Sequence, residues 1–359
     1  MHHNQMLTQF LDELDVRAAK ARVLPDILTC VKTVADCPHS LRYDNTRPYT
    51  IGTVAGLFGF ILAGALLGQW GVLVVVANLV ERAGFDSNAT PFVLGVFAAA
   101  LLLMSFCAFL FSFNRDGRLG EISDHLKWQA ALAHNGMTND ESPADELLER
   151  LSESFSDFHR GSHSREITQA YTGYLIRENT SSSFGFYQLH FVNARIETYL
   201  ENGKVKTRTV YDHFDRYYLV LPFPWVTGVS VRTDSQSEID RPYRWDSNHP
   251  DFANYVRLTG DTMMKATRFG KPAVVMFLLA FLPKLRNPNL EFSVAGQVCL
   301  SLDDDDVLLH DAPVLDLYQA PAFAAELARS MPMANLHQHL DHLRRLGEMT
   351  DNNFSSITG

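Results

Sequence analysis

The sequence predicts an α+β fold: a two-helix transmembrane hairpin followed by a cytoplasmic, mainly antiparallel β-sheet domain flanked by helices. Three observations predict it. Two long uncharged runs, 51–80 and 89–113, stand early in the chain. After about Thr168 the pattern changes to short stretches rich in β-branched and aromatic residues, punctuated by Pro, Gly and Asn. Leucines at helical spacing lie on either side of those stretches.

Residues 1–48 form an N-terminal cytoplasmic segment. Leu7, Leu14, Ala21 and Leu28 recur every seven positions, and Leu11 and Ala18 follow the first two by four. This spacing gives an amphipathic helix whose length Pro25 limits, so it is expected to pack on the protein's own cytoplasmic part rather than extend as a coiled coil.

The membrane hairpin occupies 49–114, with spans at about 51–76 and 90–113. Some 20 apolar residues cross a bilayer, and a buried core helix of this length would carry a polar face. Pro91 sits where a first helical turn tolerates it. Gly52 with Gly56, and Gly64 with Gly68, are small-xxx-small pairs suited to close packing against the second span or another copy. The first run starts behind a charged amphipathic segment, so it is expected to be a retained anchor and not a cleaved signal. Arg17, Lys20, Arg22, Lys32, Arg42 and Arg47 precede it, Arg82 alone lies between the runs, and Arg115, Arg118 and Lys127 follow. The positive-inside rule then makes the protein multi-pass with both termini cytoplasmic and the lipid bilayer as its first partner.

Residues 115–165 read as a helical stalk and linker. GRLGEISDHLKWQAALAH is helical, NGMTNDESP is a linker, and ADELLERLSESFSDFHR is a second helix with Leu147, Leu151 and Phe155 on one face and Ser142 as its cap. The α+β domain spans 166–330. EITQAYTGYLI, a hairpin about Asn202-Gly203, VTGVSVR and FANYVRL read as strands, and Pro222 and Pro224 interrupt pairing in LPFPW. Between Pro272 and Pro283 the uncharged stretch is too short to span a membrane. A buried core helix is expected there, with an interfacial or re-entrant element as the alternative. LEFSVAGQVCLSL is a further hairpin, the acidic run Asp303 to Asp306 follows it, and PAFAAELARS is a helix. Residues 331–359 are a C-terminal helix and tail, striped by Leu336, Leu340, Leu343 and Leu346.

A net charge of −10 argues against a general nucleic-acid binder. Cys30, Cys37, Cys107 and Cys299 show no CxxC spacing, as free thiols in a reducing compartment would. Walker, GxGxxG, GxSxG and HExxH signatures are absent from the sequence.

The central hairpin supplies the one concrete chemical candidate. A two-residue turn at Asn202-Gly203 sets Glu201 opposite Lys204, Glu197 opposite Arg208 and Phe191 opposite Phe214. The same register brings His190 opposite Asp215, with His213 beside them on one face. An imidazole next to a carboxylate can be an oriented base, and two His with an Asp can hold a divalent metal, so His190, His213 and Asp215 are both the catalytic and the metal-ligand candidates. Thr198, Thr207, Thr209 and Gln188 share that face, which favours a solvated scaffold surface. His339 and His342 are three apart and can share a metal, but histidines on the polar side of a leucine-striped helix are usually surface. His159 and His163 flank a Gly-Ser turn with no partner the sequence can name. The acidic run lacks the spaced ligands of an EF-hand and reads as a solvated turn. No cofactor is expected.

The order of parts is also familiar. Two spans, then AYTGYL, a long hairpin, DFANYVRLTGDTMMKATRFGKPAVVMFLLAF and LEFSVAGQVCLSL, resembles the bacterial membrane proteins of the domain-of-unknown-function 3137 family. That family's pattern falls on Phe252, Tyr255, Val256, Asp261, Ala266, Pro272 and Gly296, as an aromatic strand ending in an acid, an alanine, a proline-started apolar helix and a strand with a glycine turn. Arg268-Phe269-Gly270-Lys271 departs from its smooth strand-to-helix approach. The resemblance implies a bacterial inner (cytoplasmic) membrane protein, and it implies no activity and no functional residues. The expected function is a membrane-anchored cytoplasmic interaction or regulatory module that binds a protein partner or forms a homo-oligomer. An enzyme is the alternative, with a noncanonical, metal-assisted hydrolytic site on the hairpin face.

Overall fold

The computed structural model of the chain describes residues 2–68, 90–177, 180–202, 204–235 and 237–354. The chain divides into two compact units, Met1–Ala130 with Pro313–Arg329, and Ala131–Ala312 with Ser330–Gly359.

In the first unit the leucine stripe folds as a helical pair. Helix α1 (His2–Lys20) buries Leu7, Leu11, Leu14 and Ala18. Pro25 then begins a second helix, α2 (Leu24–Ala35), where a first turn has no use for the missing N–H. Ile27, Val31 and Val34 are its buried face. Helix α3 (Thr46–Gly68) carries the first apolar run as far as it is described. The rest of the first predicted span and the loop after it lie outside the described residues.

Helix α4 (Thr90–His134) holds the second run and continues unbroken into the predicted stalk. Among the described residues it is the one helix long and apolar enough to cross a membrane. Large apolar side chains stand exposed along both α3 and α4, among them Phe58, Phe60, Phe106 and Phe113. The two helices pack through glycine. A Cβ on Gly56 would lie 2.8 Å from Ser105 Oγ, and one on Gly59 2.9 Å from Leu102 Cγ, whereas one on Gly64 would meet nothing within 4 Å among the described residues. Ser123 Oγ of α4 accepts the Leu317 N–H at 3.1 Å, just ahead of helix α9 (Ala320–Leu327).

The second unit is an antiparallel sheet with helices against it. Its strands are β1 (Met137–Asn139), β2 (Ser164–Arg177), β3 (Thr180–Glu201), β4 (Lys204–Pro222), β5 (Val229–Arg232), β6 (Tyr243–Trp245), β7 (Arg257–Gly260), β8 (Asn289–Phe292) and β9 (Gln297–Leu302). Their spatial order is β1-β2-β3-β4-β9-β8-β5-β7-β6, and every neighbouring pair is antiparallel. The register expected of the central hairpin holds along its whole length, from Glu201 opposite Lys204 to Gly185 opposite Val220. Asn202 takes the left-handed backbone that such a turn demands, with φ 52°. Gly203 lies outside the described residues.

Helix α5 (Ala144–Ser154) and the one-turn 3₁₀ segment Ser156–His159 lay Leu147, Leu151, Phe155 and Phe158 against Ile167, Leu189, Tyr218 and Val220 of the sheet. Elsewhere in the unit, helix α10 (Ala334–Phe354) buries Leu336, Leu340, Leu343 and Leu346 as its spacing predicts. Each such leucine contributes roughly 1.5–3 kcal/mol of burial. Asn135, itself buried, fixes the approach to α10 by donating to Met331 O at 2.8 Å and accepting from Met333 N at 3.0 Å.

Several local expectations fail for identifiable reasons. The predicted linker NGMTNDESP contains β1, because Met137 is apolar enough to be buried and Tyr171 to Gly173 offer it a free edge. Ser142 does not cap α5. Its N–H is taken by Asp140 Oδ1 at 3.0 Å, and the helix starts behind Pro143 without a side-chain cap. FANYVRL is not one strand: Pro250 starts helix α6 (Pro250–Tyr255), and only Arg257 onward is extended. The departure at Arg268–Lys271 is a second helix, α7 (Met263–Phe269), capped by Thr262, which accepts from Lys265 N at 3.2 Å. It breaks by 69° before helix α8 (Pro272–Phe281). Gly270 stands at that break because a Cβ there would lie 2.7 Å from the Trp245 ring. Helix α8 buries Val274, Val275, Leu278 and Phe281, as a core helix does.

Candidate functional site

His190, His213 and Asp215 do converge. His190 Nδ1 lies 3.0 Å from Asp215 Oδ1, and His190 Nε2 lies 3.2 Å from His213 Nδ1. Gln188 donates to the same Asp215 oxygen at 3.2 Å. The cause is the hairpin register, which sets Asp215 directly opposite His190 and His213 one diagonal away. Both ring nitrogens of His190 are therefore engaged, one on a carboxylate and one on the other imidazole. Two imidazoles joined by an N–H···N bond do not aim two lone pairs at one ion. Among the described residues, no group of three or more His, Cys, Asp or Glu is arranged to hold a metal. His213 and Asp215 are exposed, and no hydroxyl or thiol hydrogen-bonds to this chain of groups among the described residues. What the arrangement does chemically is orient an imidazole and link two strands.

Of the other candidate histidines, His159, His163 and His342 have structural partners. His159 Nε2 bonds Ser152 O at 3.0 Å, and the His163 ring packs 4.7 Å from that of Tyr211. His342 stacks on Phe281 at 4.4 Å, while His339 is buried with its Nδ1 unpartnered among the described residues. Burial holds the His339 pKa below its ordinary value, helped by His342 and opposed by Asp304 and Asp306. The acidic run is not merely solvated. Asp303 accepts from Arg216 at 2.5 Å and from Asn287 at 2.7 Å, and Asp304 accepts from the Arg286 N–H at 2.8 Å.

Sequence reasoning missed the polar centre of the sheet unit. Asp157 and Arg216 are both almost fully buried and meet at 2.9 Å. Asp157 also accepts from Arg160 at 2.9 Å, Ser237 at 2.7 Å and Ser301 at 2.5 Å, while Tyr218 OH donates to its backbone carbonyl at 3.0 Å. Arg216 spends its remaining donors on Asp303, on Asn287 O at 3.0 Å and on Ser301 Oγ at 2.9 Å. Burial pushes the Asp157 carboxyl up, but Arg216, then Arg160 and the two serines, outweigh it and hold the group well below the usual carboxylate range. Burial likewise opposes the charge on Arg216, and Asp157 more than compensates. A cavity of about 640 Å³ opens beside this pair, lined among others by Arg160, Phe191, Phe214, Asp234 and Asp303. Its guanidinium is already committed, with Arg160 also paired to Asp234 at 2.6 Å. The centre is a satisfied structural network, not a reactive one. One signal pointed to it: strand alternation puts Arg216 on the same face as Phe214 and Tyr218.

Beyond that centre the hairpin becomes an arm. Strand β2 pairs β3 no further than Val192, and β9 pairs β4 only from Tyr217, so about residues 195–211 form a two-stranded ribbon roughly 20–25 Å long. One of its faces is a charge ladder, with Arg195 bonded to Asp212 and Glu197 at 2.6 Å each and Arg208 to Glu197 at 2.7 Å. The other continues from His190 and His213, and it carries no charge. Ile196, Leu200 and Val205 are 76%, 75% and 69% exposed on it, with Tyr211 and the expected threonines between them.

No protein-family model, curated protein or solved structure matches the chain. What fold and site define is an antiparallel α+β unit bearing a projecting β-arm, in a chain with one helix, among the described residues, long and apolar enough to cross a membrane.

Proposed function

We propose that this protein is a membrane-anchored interaction module that binds a protein partner or a second copy of itself through the β-arm. The observation that carries this reading is the uncharged, exposed face of Ile196, Leu200 and Val205, with Tyr211 packed on His163 at its base. An isolated two-stranded ribbon is marginal in water, and contiguous exposed apolar surface of this kind marks an interaction site. The anchor is a two-span hairpin with both termini cytoplasmic, in the bacterial inner membrane. The exposed apolar sides of α3 and α4, their glycine packing, and the basic residues flanking the runs support it. The likeness to the domain-of-unknown-function 3137 family points the same way.

The test uses the full chain in native membranes and in detergent micelles. A cysteine placed by Thr198→Cys should cross-link to a second copy or to one defined protein, and a charged pair, Ile196→Lys with Leu200→Glu, should abolish that product while leaving the melting temperature unchanged. A chain that sediments as a monomer and yields no arm cross-link in membranes would sink the reading.

A further inference from the structure

We infer that a cavity at the membrane-facing start of α3 is a binding site for the phosphoethanolamine headgroup of a membrane phospholipid. The inference rests on the membrane-anchored reading above. The cavity, about 500 Å³, is lined among others by Arg42, Tyr43, Asn45, Asp116 and Tyr318, with the Asp44 carboxylate also on its wall. Exposed apolar surface begins on α3 at Tyr49 and Ile51 and ends on α4 at Phe113. At a 1.5 Å rise per residue the cavity therefore sits within roughly 5 Å of the apolar edge, at headgroup level. Its tyrosines, together with Arg115 lying 4.0 Å over the Tyr43 ring, are the aromatic and cationic residues that membrane interfaces select.

Two features of the lining specify the headgroup. Asn45 is 7% exposed. Its Nδ2 donates to Asp116 Oδ2 at 2.7 Å, but its Oδ1 is buried with no donor among the described residues. Buried carbonyl oxygens are rarely left so, and an acceptor beside a carboxylate asks for an N–H that also carries positive charge. On the other side the Arg42 guanidinium lies 5.7 Å from the centre of the Tyr318 ring, without an ion pair among the described residues. Its guanidinium can take a phosphate on the side away from Asp44, whose carboxylate already accepts from Thr46 N at 3.0 Å at the start of α3. A phosphate and a primary ammonium joined by two carbons present both charges to this pair of partners. Choline offers no N–H to Asn45 and Asp116, and a glycerol headgroup offers no positive charge.

The experiment is native mass spectrometry of the full chain in detergent, titrated with phosphatidylethanolamine, phosphatidylcholine or phosphatidylglycerol of identical acyl chains. Binding of the ethanolamine lipid should be about tenfold tighter than that of either other lipid, as one charge-assisted hydrogen bond predicts. Asp116→Asn should erase the preference, and Arg42→Gln should weaken ethanolamine and choline lipids alike. Equal binding of the three lipids by wild-type protein overturns the inference, as does displacement of lipid by micromolar soluble O-phosphoethanolamine, which would assign the cavity to a free metabolite. Resistance of the protein to alkaline carbonate washing of membranes is measured in parallel. Its loss would overturn the membrane reading itself, whereas a resistant protein without lipid preference overturns the headgroup site alone.

Discussion

Replacing Arg216 by methionine tests whether the Asp157 network holds the arm in place. The substitution keeps most of the side-chain volume and removes four hydrogen bonds, to Asp157 at 2.9 Å, Asp303 at 2.5 Å, Asn287 O at 3.0 Å and Ser301 at 2.9 Å. Breaking a buried ion pair by removing one partner costs about 3–5 kcal/mol, chiefly because the other charge stays buried. Asp157 would keep Arg160, Ser237 and Ser301, so the lower end, about 3 kcal/mol, applies. For a unit of roughly 200 residues each kcal/mol moves the melting midpoint by about 2–4 °C, which gives a drop of about 6–12 °C. The assay is thermal unfolding of the full chain in micelles, followed by near-ultraviolet circular dichroism. Adding Asp157→Leu should recover at least half of the loss, because the stranded charge goes with it. A single variant that melts within 2 °C of wild type, or a double variant whose loss equals the sum of the two single losses, would refute the reasoning.

Two further outcomes follow from packing and titration. Gly56→Leu must displace Ser105, 2.8 Å from its Cβ, and should cost the α3–α4 pair about 1–3 kcal/mol, while Gly64→Leu, which meets nothing within 4 Å among the described residues, should cost less; melting of the helical signal in micelles compares them. Burial depresses the folded pKa of His339 below the ordinary imidazole value of about 6.5, so the stability it contributes is whole above that value and lost as pH falls through the lower folded one. His339→Leu should therefore flatten the decline in melting temperature between about pH 7 and pH 5, and an equal decline in variant and wild type would exclude His339 as its source. Glu291, whose carboxyl burial pushes upward, acts in the opposite sense in both proteins and cancels in the comparison.

What the sequence made legible was local. Asn202-Gly203 and the charge pairs beside it fixed the register of the central hairpin, and so the meeting of His190, Asp215 and His213, because each of those signals lies within a few residues of its partner. The leucine stripe of α10 was read for the same reason. The Asp157 centre was not, since its members come from positions 157, 216, 237 and 301, and no periodicity links them. FANYVRL misled because aromatic and β-branched composition outweighed Pro250, the residue that starts the helix. The arm's threonines suggest a wet face, but half of that face is Ile196, Leu200, Val205 and Tyr211, visible by the same alternation.

The place where the arm leaves the sheet explains why its root is so heavily stapled. Past Val192 and before Tyr217 the two strands lose their outer neighbours, so the hairpin there must be held by side chains. On the core face Arg216 ties β4 to Asp157 and Asp303, and Phe191 stacks on Phe214 at 5.2 Å. On the other face Asp215, His190 and His213 lace β3 to β4. Ser162 closes the remaining edge by accepting from Ala194 N, while Asn193 accepts from Ser162 N, each at 3.0 Å. A ribbon fixed on both faces at its base can present its uncharged face in one orientation, which lowers the entropy lost on docking. The histidine cluster thus has a mechanical role that requires neither a metal nor a substrate, and loosening it should weaken association through the arm before it affects the fold.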